Sequence, residues 1–294
     1  MPSGKRVYLP LYEAKMIHQF DHRWATYDGL ETRDLTLAEK QDPTCVAMPR
    51  YWVAAEEVEA RVGSTPYMIG FRDIARSTDE RTAIMSLIAN NAVGHKVPLI
   101  FVNNATSTHQ NIAFFTNFNG LIFDYVSRQK VGGTSMTFFI VKQLTALPPD
   151  TYIPPLLDFI VPRSLELTYT AWDMQPFAQD VGYDGPPFIW NEDRRFLMRC
   201  ELDALYFHLY QISRDDTDYI METFPIVKRK DEAKFDEYRT KRVILEMYDQ
   251  MAALPKVSVP HPKGEGQGEY LVPDVSQFRT WLTPPPADPS VAHG

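Results

Sequence analysis

Cysteine is almost missing from this chain: Cys45 and Cys200 are the only two. They provide no disulfide framework and no Cys-x-x-Cys zinc pair, so a reducing cytoplasm fits best. Long apolar runs are missing as well. No stretch approaches the roughly 20 apolar residues that cross a bilayer, and no membrane is expected. Lys5-Arg6 has no apolar segment behind it, which excludes a signal peptide. The chain has no glycine-rich strand-to-helix turn, no Asn/Asp-Pro-Pro-aromatic tetrapeptide, and no Ser-His-Asp or Cys-His arrangement. Positive charge is in deficit, with a net charge of −8. That argues against a free-standing, nonspecific DNA binder, which depends on neutralising phosphates. One segment runs the other way: Lys228 to Arg242 holds seven Lys/Arg against four Asp/Glu.

Apolar and aromatic residues are plentiful enough, at 44% and 13%, to bury one large core or two modest ones. Residues 5–24 read as an extended arm in which Leu9, Leu11, Met16, Ile17 and Phe20 pack while Lys5, Arg6, Lys15 and Arg23 stay in water. Residues 28–45 read as a polar loop with a short helix. A helix over Ala54–Val62 ends at Gly63. Three β-like runs follow, Tyr67–Ile74, Thr82–Ile88 and Val97–Val102, rich in branched and aromatic residues and bounded by Gly, Asn and Pro. Ile112, Phe115, Phe118, Ile122, Tyr125 and Val126 recur at helical steps, predicting helices over Ser107–Phe118 and Leu121–Gln129 that stop at Gly132-Gly133.

Met136–Val141 reads as a short strand, and Pro148, Pro149, Pro154 and Pro155 as the exit from a first domain. Asn191–Ile212 is apolar around most of its circumference and should be a central helix. Ser213-Arg214-Asp215-Asp216 resembles a capping box opening a helix that Pro225 ends. Phe235, Tyr238, Leu245, Tyr248 and Met251 define a last amphipathic helix. Eight Pro and four Gly in the final 40 residues imply a mostly extended tail. The expected fold class is α+β: a mixed β-sheet domain with packed helices, then a helical domain and an extended tail. The expected boundaries are 1–45 for the arm and loop, 46–160, 161–254 and 255–294.

Several blocks in this order carry a resemblance. They are Leu9–Arg23 (LPLYEAKMIHQFDHR), Arg50-Tyr51-Trp52-Val53, Gly70–Arg76 with Glu80-Arg81-Thr82, and the run Asn119–Gly133 followed by Phe138–Leu144 and Pro148-Pro149. Together with Cys200–Tyr210 and Tyr238–Arg242, they make residues 7–252 similar to the C-terminal part of adenine-N6 DNA methyltransferases. These occur in fused restriction–modification (type IIG-like) enzymes and phage-defence methylases. The chain departs from the family pattern with Phe118-Asn119-Gly120 where Leu-Asn-Ser is usual, and with Thr145 where Pro is usual.

The resemblance implies a target-recognition domain that reads bases in the major groove, followed by a helical connector. In whole enzymes it lies downstream of the catalytic domain. The missing Asn/Asp-Pro-Pro-aromatic loop, which holds a flipped adenine, and the missing glycine-rich turn imply that catalysis and S-adenosylmethionine belong to a separate methyltransferase chain. No cofactor is expected in this one.

For double-stranded DNA the candidate base readers are Arg72, Arg76 and Arg81, with Thr82, because a guanidinium bonds guanine O6 and N7 bidentately. The competing reading is surface ion pairing with Asp73, Asp79 and Glu80. Arg128, Lys130, Gly132, Gly133, Lys142 and Gln143 are candidates for the DNA backbone, the glycines letting a phosphate approach the main chain. A helix C-terminus with cations answering its dipole would look the same. His18 and His22 have the spacing of a metal pair but no third ligand follows. Glu232-Ala233-Lys234 has the acid-x-Lys form of a nuclease centre on what reads as a solvated helix start. The leading expectation is therefore a DNA-specificity portion working with a catalytic methyltransferase subunit. A non-catalytic assembly protein of a defence complex, or the remnant of a split methylase gene, stands as the alternative.

Overall fold

The segment expected to be a loose N-terminal arm is the middle of a sheet. The computed structural model describes residues 6–102, 106–260 and 268–282. In it, β1 (Tyr8–Tyr12) is followed by the hairpin β2 (Ala25–Asp28) and β3 (Glu31–Asp34), α1 (Leu37–Gln41), β4 (Trp52–Ala54) and α2 (Ala55–Val62). Then come β5 (Tyr67–Phe71), β6 (Met85–Ala89), β7 (Ala92–Val93) and β8 (Leu99–Ile100). Thr36 and Glu39 form a reciprocal capping box at α1. Gly63 closes α2 with φ 68°, a conformation that suits glycine. β1 pairs antiparallel with β4, Leu9 opposite Val53, and parallel with β7, Leu11 opposite Ala92, so the sheet is mixed. β5 lies between β6 and β8, antiparallel to both.

By contacts the chain divides into two compact units. The first is Met1–Ile74, Ile84–Val102 and Glu166–Trp190. The second is Ala75–Ala83, Asn103–Leu165 and Asn191–Gly294. The fold class is α+β, as expected.

In the first unit Tyr12, Met16, Ile17, Tyr27, Ile88 and Val97 share one apolar cluster. Beside it lies a correction to the sequence reading. Arg23, expected in water, is 1% exposed. Its guanidinium donates to the carbonyls of Lys40, Asp42, Cys45 and Thr170 at 2.7–3.1 Å, so the 40–45 stretch and the distant Thr170 close on one cation. Lys40, equally buried, bonds the Asp21 carboxylate between the rings of Trp24 and Trp190. His22 Nε2 faces Asp173 at 2.9 Å, while His18 packs on Trp24, so the two histidines turn to different partners.

The second unit opens with α3 (Thr108–Asn119), capped by Ser107 and Gln110, and α4 (Leu121–Lys130). Ile112, Phe115, Phe118 and Ile122 are buried, as the three- and four-residue spacing predicts, whereas Tyr125 and Val126 are half-buried and Phe123, outside that stripe, is buried. α5 (Phe138–Val141) is a single helical turn and not the expected strand: Thr137 O accepts from Ile140 and Val141 N–H. A branched, aromatic run makes a strand only when a partner edge is beside it. Pro154-Pro155 do not end structure but open α6 (Pro154–Thr168), where the first-turn N–H groups have no helical partner to lose. α7 (Gln175–Asp180) belongs to the first unit.

α8 (Glu192–Leu209) is the central helix of the second unit, capped by Asn191. α9 (Arg214–Glu222) starts at Ser213, whose side chain accepts from Asp216 N–H. Pro225 then starts α10 (Pro225–Phe235), and α11 (Arg239–Ala252) packs on α8, α9 and α10. Phe235 belongs to α10, and Leu245, Tyr248 and Met251 face inward from α11. Part of the expected tail is a hairpin, β9 (Lys256–Pro260) with β10 (Glu269–Pro273), Tyr270 opposite Val259 and Val272 opposite Val257. Valines at alternate positions place Val259 and Val272 inside. Beyond it, Thr280 Oγ1 and Trp281 N–H close on buried Glu201, which also takes Arg163 Nε at 2.6 Å. Residues 261–267 and 283–294 of the expected tail lie outside the described residues.

α8 supplies a direct check of this packing. Phe207 is fully buried, so Phe207→Ala should cost about 3–5 kcal/mol. A urea melt of the variant that matches the parent would place the wrong helix face inside.

Candidate nucleic-acid interface

Most of the residues nominated from the sequence fall in the second unit, where Asp124 binds three of them, Arg81, Thr82 and Arg128. It lies in the first turn of α4, where a carboxylate answers the helix dipole. Its side chain is wholly buried and accepts from four donors: Arg81 Nε at 2.9 Å, Arg128 Nε at 2.8 Å, and the N–H groups of Thr82 and Ala83. Arg128 stands one turn after Asp124 on the same helix face. Its remaining donors reach the carbonyls of Ser77, Asp79 and Glu80 at 2.7–3.0 Å, and its plane lies over Phe224. Arg81 Nη2 donates to Asn119 O at 2.6 Å, and Thr82 Oγ1 to Arg76 O. The 75–83 loop is thus tied to α4 through one carboxylate and two guanidinia.

The start of α4 has its own ionisable partner. Leu121 N–H donates to Asp203 Oδ1 of α8 at 2.6 Å. Gly120 eases this approach, since a Cβ there would stand a tight 3.2 Å from Asn117 O and 3.6 Å from Asp203 Oδ1. Burial pushes the Asp203 carboxyl up to about 6, against the pull of the Arg81 charge and the Leu121 N–H.

The surface beside this cluster is built differently. Arg76 is exposed, and Asp79 caps its N–H. Ala75 N–H donates to Thr134 O, which sets Arg76 beside the Gly132–Thr134 segment. Lys130, Gly132, Gly133, Lys142 and Gln143 are all exposed, and a Cβ on either glycine would meet nothing within 4 Å. Between Asp124 and Asp150 the chain carries no acid. Arg72 stands apart, in the first unit, where its Nε donates to Ile17 O at 2.8 Å. Sequence reasoning overlooked Asp124, although an acid four residues before Arg128 in a helix was the available signal.

Most cations of the locally basic segment Lys228–Arg242 are paired with acids. Lys228 and Lys241 pair with Glu222, Lys241 also with Asp218, and Arg242 with Glu237 and Glu246. These residues line an open groove of about 570 Å³ with alternating charge. Hydrogen bonds from Lys241 and Lys228 hold the Glu222 carboxyl below its usual range. Asp231 accepts from Thr240 N–H at the start of α11, and Lys234 lies over Phe235. Glu232-Ala233-Lys234 sits inside α10, and no cluster of metal-ligating side chains occurs among the described residues. No described helix is long and apolar enough to cross a membrane. No protein-family model, curated protein or solved structure matches the chain.

Two outcomes follow. Asp124→Ala should cost about 3–5 kcal/mol, because it strands two largely buried guanidinia. Denaturant melts of Asp124→Ala and of an exposed control such as Lys130→Ala would show it, and equal midpoints would contradict it. Asp203 makes one separable contribution to the pH dependence. Its proton is held more tightly in the folded chain than at its ordinary 3.8. The folded state therefore binds that extra proton between roughly pH 4 and 6, and the Asp203 contribution to stability falls as pH rises through that window, while His208, lowered to about 4 by burial, contributes with the opposite sign. Asp203→Asn should remove about 2–3 kcal/mol of that fall. Parallel slopes for parent and variant in melts from pH 4 to 7 would overturn the assignment.

Proposed function

We propose that this chain is the DNA-recognition portion of an adenine-N6 methylation system, acting with a separate methyltransferase chain that holds S-adenosylmethionine. The ordered blocks from Leu9 to Arg242 that resemble the C-terminal part of such enzymes support the assignment. The observation that carries the DNA contact is the surface beside Asp124. Arg76, Lys130 and Lys142 stand in water with the open backbone of Gly132-Gly133, and no acid interrupts the chain between Asp124 and Asp150. Lysines and exposed N–H groups of this kind position a duplex through its phosphates. Arg76 is the base-reading candidate whose guanidinium is exposed.

Arg81, Arg128 and Thr82 act one step back in this reading. Their donors are engaged with Asp124 and with loop carbonyls, so they shape the loop that presents Arg76. Arg72, bonded to Ile17 O, likewise serves the fold of the first unit.

Binding and stability should therefore separate. Lys130→Ala and Lys142→Ala should weaken binding to all duplexes alike and flatten the salt dependence by about one unit per lost phosphate contact, without moving the melting temperature. Arg76→Ala should relax discrimination at one base pair by roughly 1–3 kcal/mol. Arg81→Ala and Arg128→Ala should lower the melting temperature itself. Gel shifts at several salt concentrations, with and without the companion methyltransferase, decide the matter. A parent chain that binds no duplex in either condition at low salt overturns the proposal.

A further inference from the structure

Phe139 is 77% exposed, the most exposed aromatic side chain among the described residues. Its exposure is held in place by the local structure. Met136, three residues earlier, is fully buried and anchors the segment. Thr134 O is bonded by Ala75 N–H, and Thr137 O closes the turn through Ile140 and Val141 N–H. Gln143 Nε2 then donates to Phe139 O at 3.0 Å. A ring presented on a hydrogen-bonded turn keeps its direction, and exposing it to water is costly unless a partner covers it.

The surroundings select the partner. Lys142 follows Phe138, itself 46% exposed, by one helical turn, and Lys130 and Gly132-Gly133 precede it. Asp124 is enclosed by its two arginines and Asp79 accepts the Arg76 N–H, and the nearest acid in sequence, Asp150, lies eleven residues beyond Phe139 on the far side of Pro148-Pro149. An exposed ring that lies in the chain between exposed Lys130 and exposed Lys142, with no acid from Tyr125 to Pro149, suits a polyanion that also offers flat apolar faces. Nucleic acid has both.

We infer that Phe139 stacks on a base of bound DNA as a wedge, opening one base step, while Lys130 and Lys142 hold the flanking phosphates. The inference rests on the DNA-binding reading above and goes beyond it by naming a stacking residue. Wedge side chains spend unstacking energy to bend or open a duplex, so they favour DNA whose stacking is already broken.

The test compares the full chain on a matched 30-base-pair duplex and on the same duplex carrying a two-nucleotide central bubble, by fluorescence anisotropy at low salt. The parent should bind the bubble about tenfold more tightly, since stacking on one base carries roughly that much. Phe139→Ala, at an exposed position, should bring the ratio to about one, chiefly by weakening binding to the bubble, and should leave the salt slope, which the lysines set, nearly unchanged. Phe139→Trp should preserve the preference, and Lys142→Gln should weaken both duplexes equally. A parent without bubble preference, or Phe139→Ala with the preference intact, overturns the wedge while the DNA reading stands. The exposed ring would then be a protein-docking residue. Failure of the parent to bind either duplex overturns the DNA reading and the wedge together.

Discussion

One buried carboxylate sets the geometry of the second unit's surface. Asp124 has no contact with water, yet it fixes the 75–83 loop, because two arginines and two backbone N–H groups converge on it. An ion pair this deep contributes little net stability once desolvation is counted, but it is unforgiving of the loss of one member. Its larger effect is directional. Asp124 and Arg128 point inward from one face of α4, and Lys130, two residues on, lies about 200° further round the helix. The residue that holds the loop also turns the neighbouring lysine to solvent.

Arginine was where the sequence was hardest to read. Arg23, Arg72, Arg81 and Arg128 all look like surface cations, and each donates to a protein carbonyl or carboxylate. The acceptors lie far along the chain, Asp124 from Arg81 and Thr170 from Arg23. A guanidinium can satisfy several main-chain carbonyls at once, and nothing local distinguishes that use from a bidentate grip on guanine. Asp73, Asp79 and Glu80 were the obvious partners to weigh. Asp73 takes Lys96, Glu80 takes Lys230, and Asp79 caps a backbone N–H.

Periodicity was legible wherever a segment's own burial decided its structure. α3, α4, α8 and α11 stand within a residue or a few of the hydrophobic stripes that announce them, and Gly63 ends α2 where a left-handed residue is needed. Legibility failed where a distant partner decided. β1 is a strand because β4 and β7 flank it. Residues 138–141 have equal strand propensity but turn helically, bonded to Thr137. β9 and β10 pair across the 261–267 segment, so each supplies the edge that the other needs. The prolines of α6 misled for a positional reason: two in succession look like a break, but the first helical turn tolerates them.

The charge argument changes once pairing is known. A net charge of −8 suggests a molecule that repels DNA, and Lys228–Arg242 suggests a local exception. In the fold this exception shrinks, because Lys228, Lys241 and Arg242 are held in ion pairs with Glu222, Glu237 and Glu246. A paired charge is a short dipole, and beyond a Debye length of about 10 Å at moderate salt its field is negligible. What a phosphate meets is the unpaired charge within that distance. Beside Asp124 the buried acid is enclosed by its own arginines, while Arg76, Lys130 and Lys142 remain at the surface with Asp79 as the exposed acid of the same loop. An acidic chain can therefore present a cationic edge, and the feature that creates it here is the inward turn of a single carboxylate.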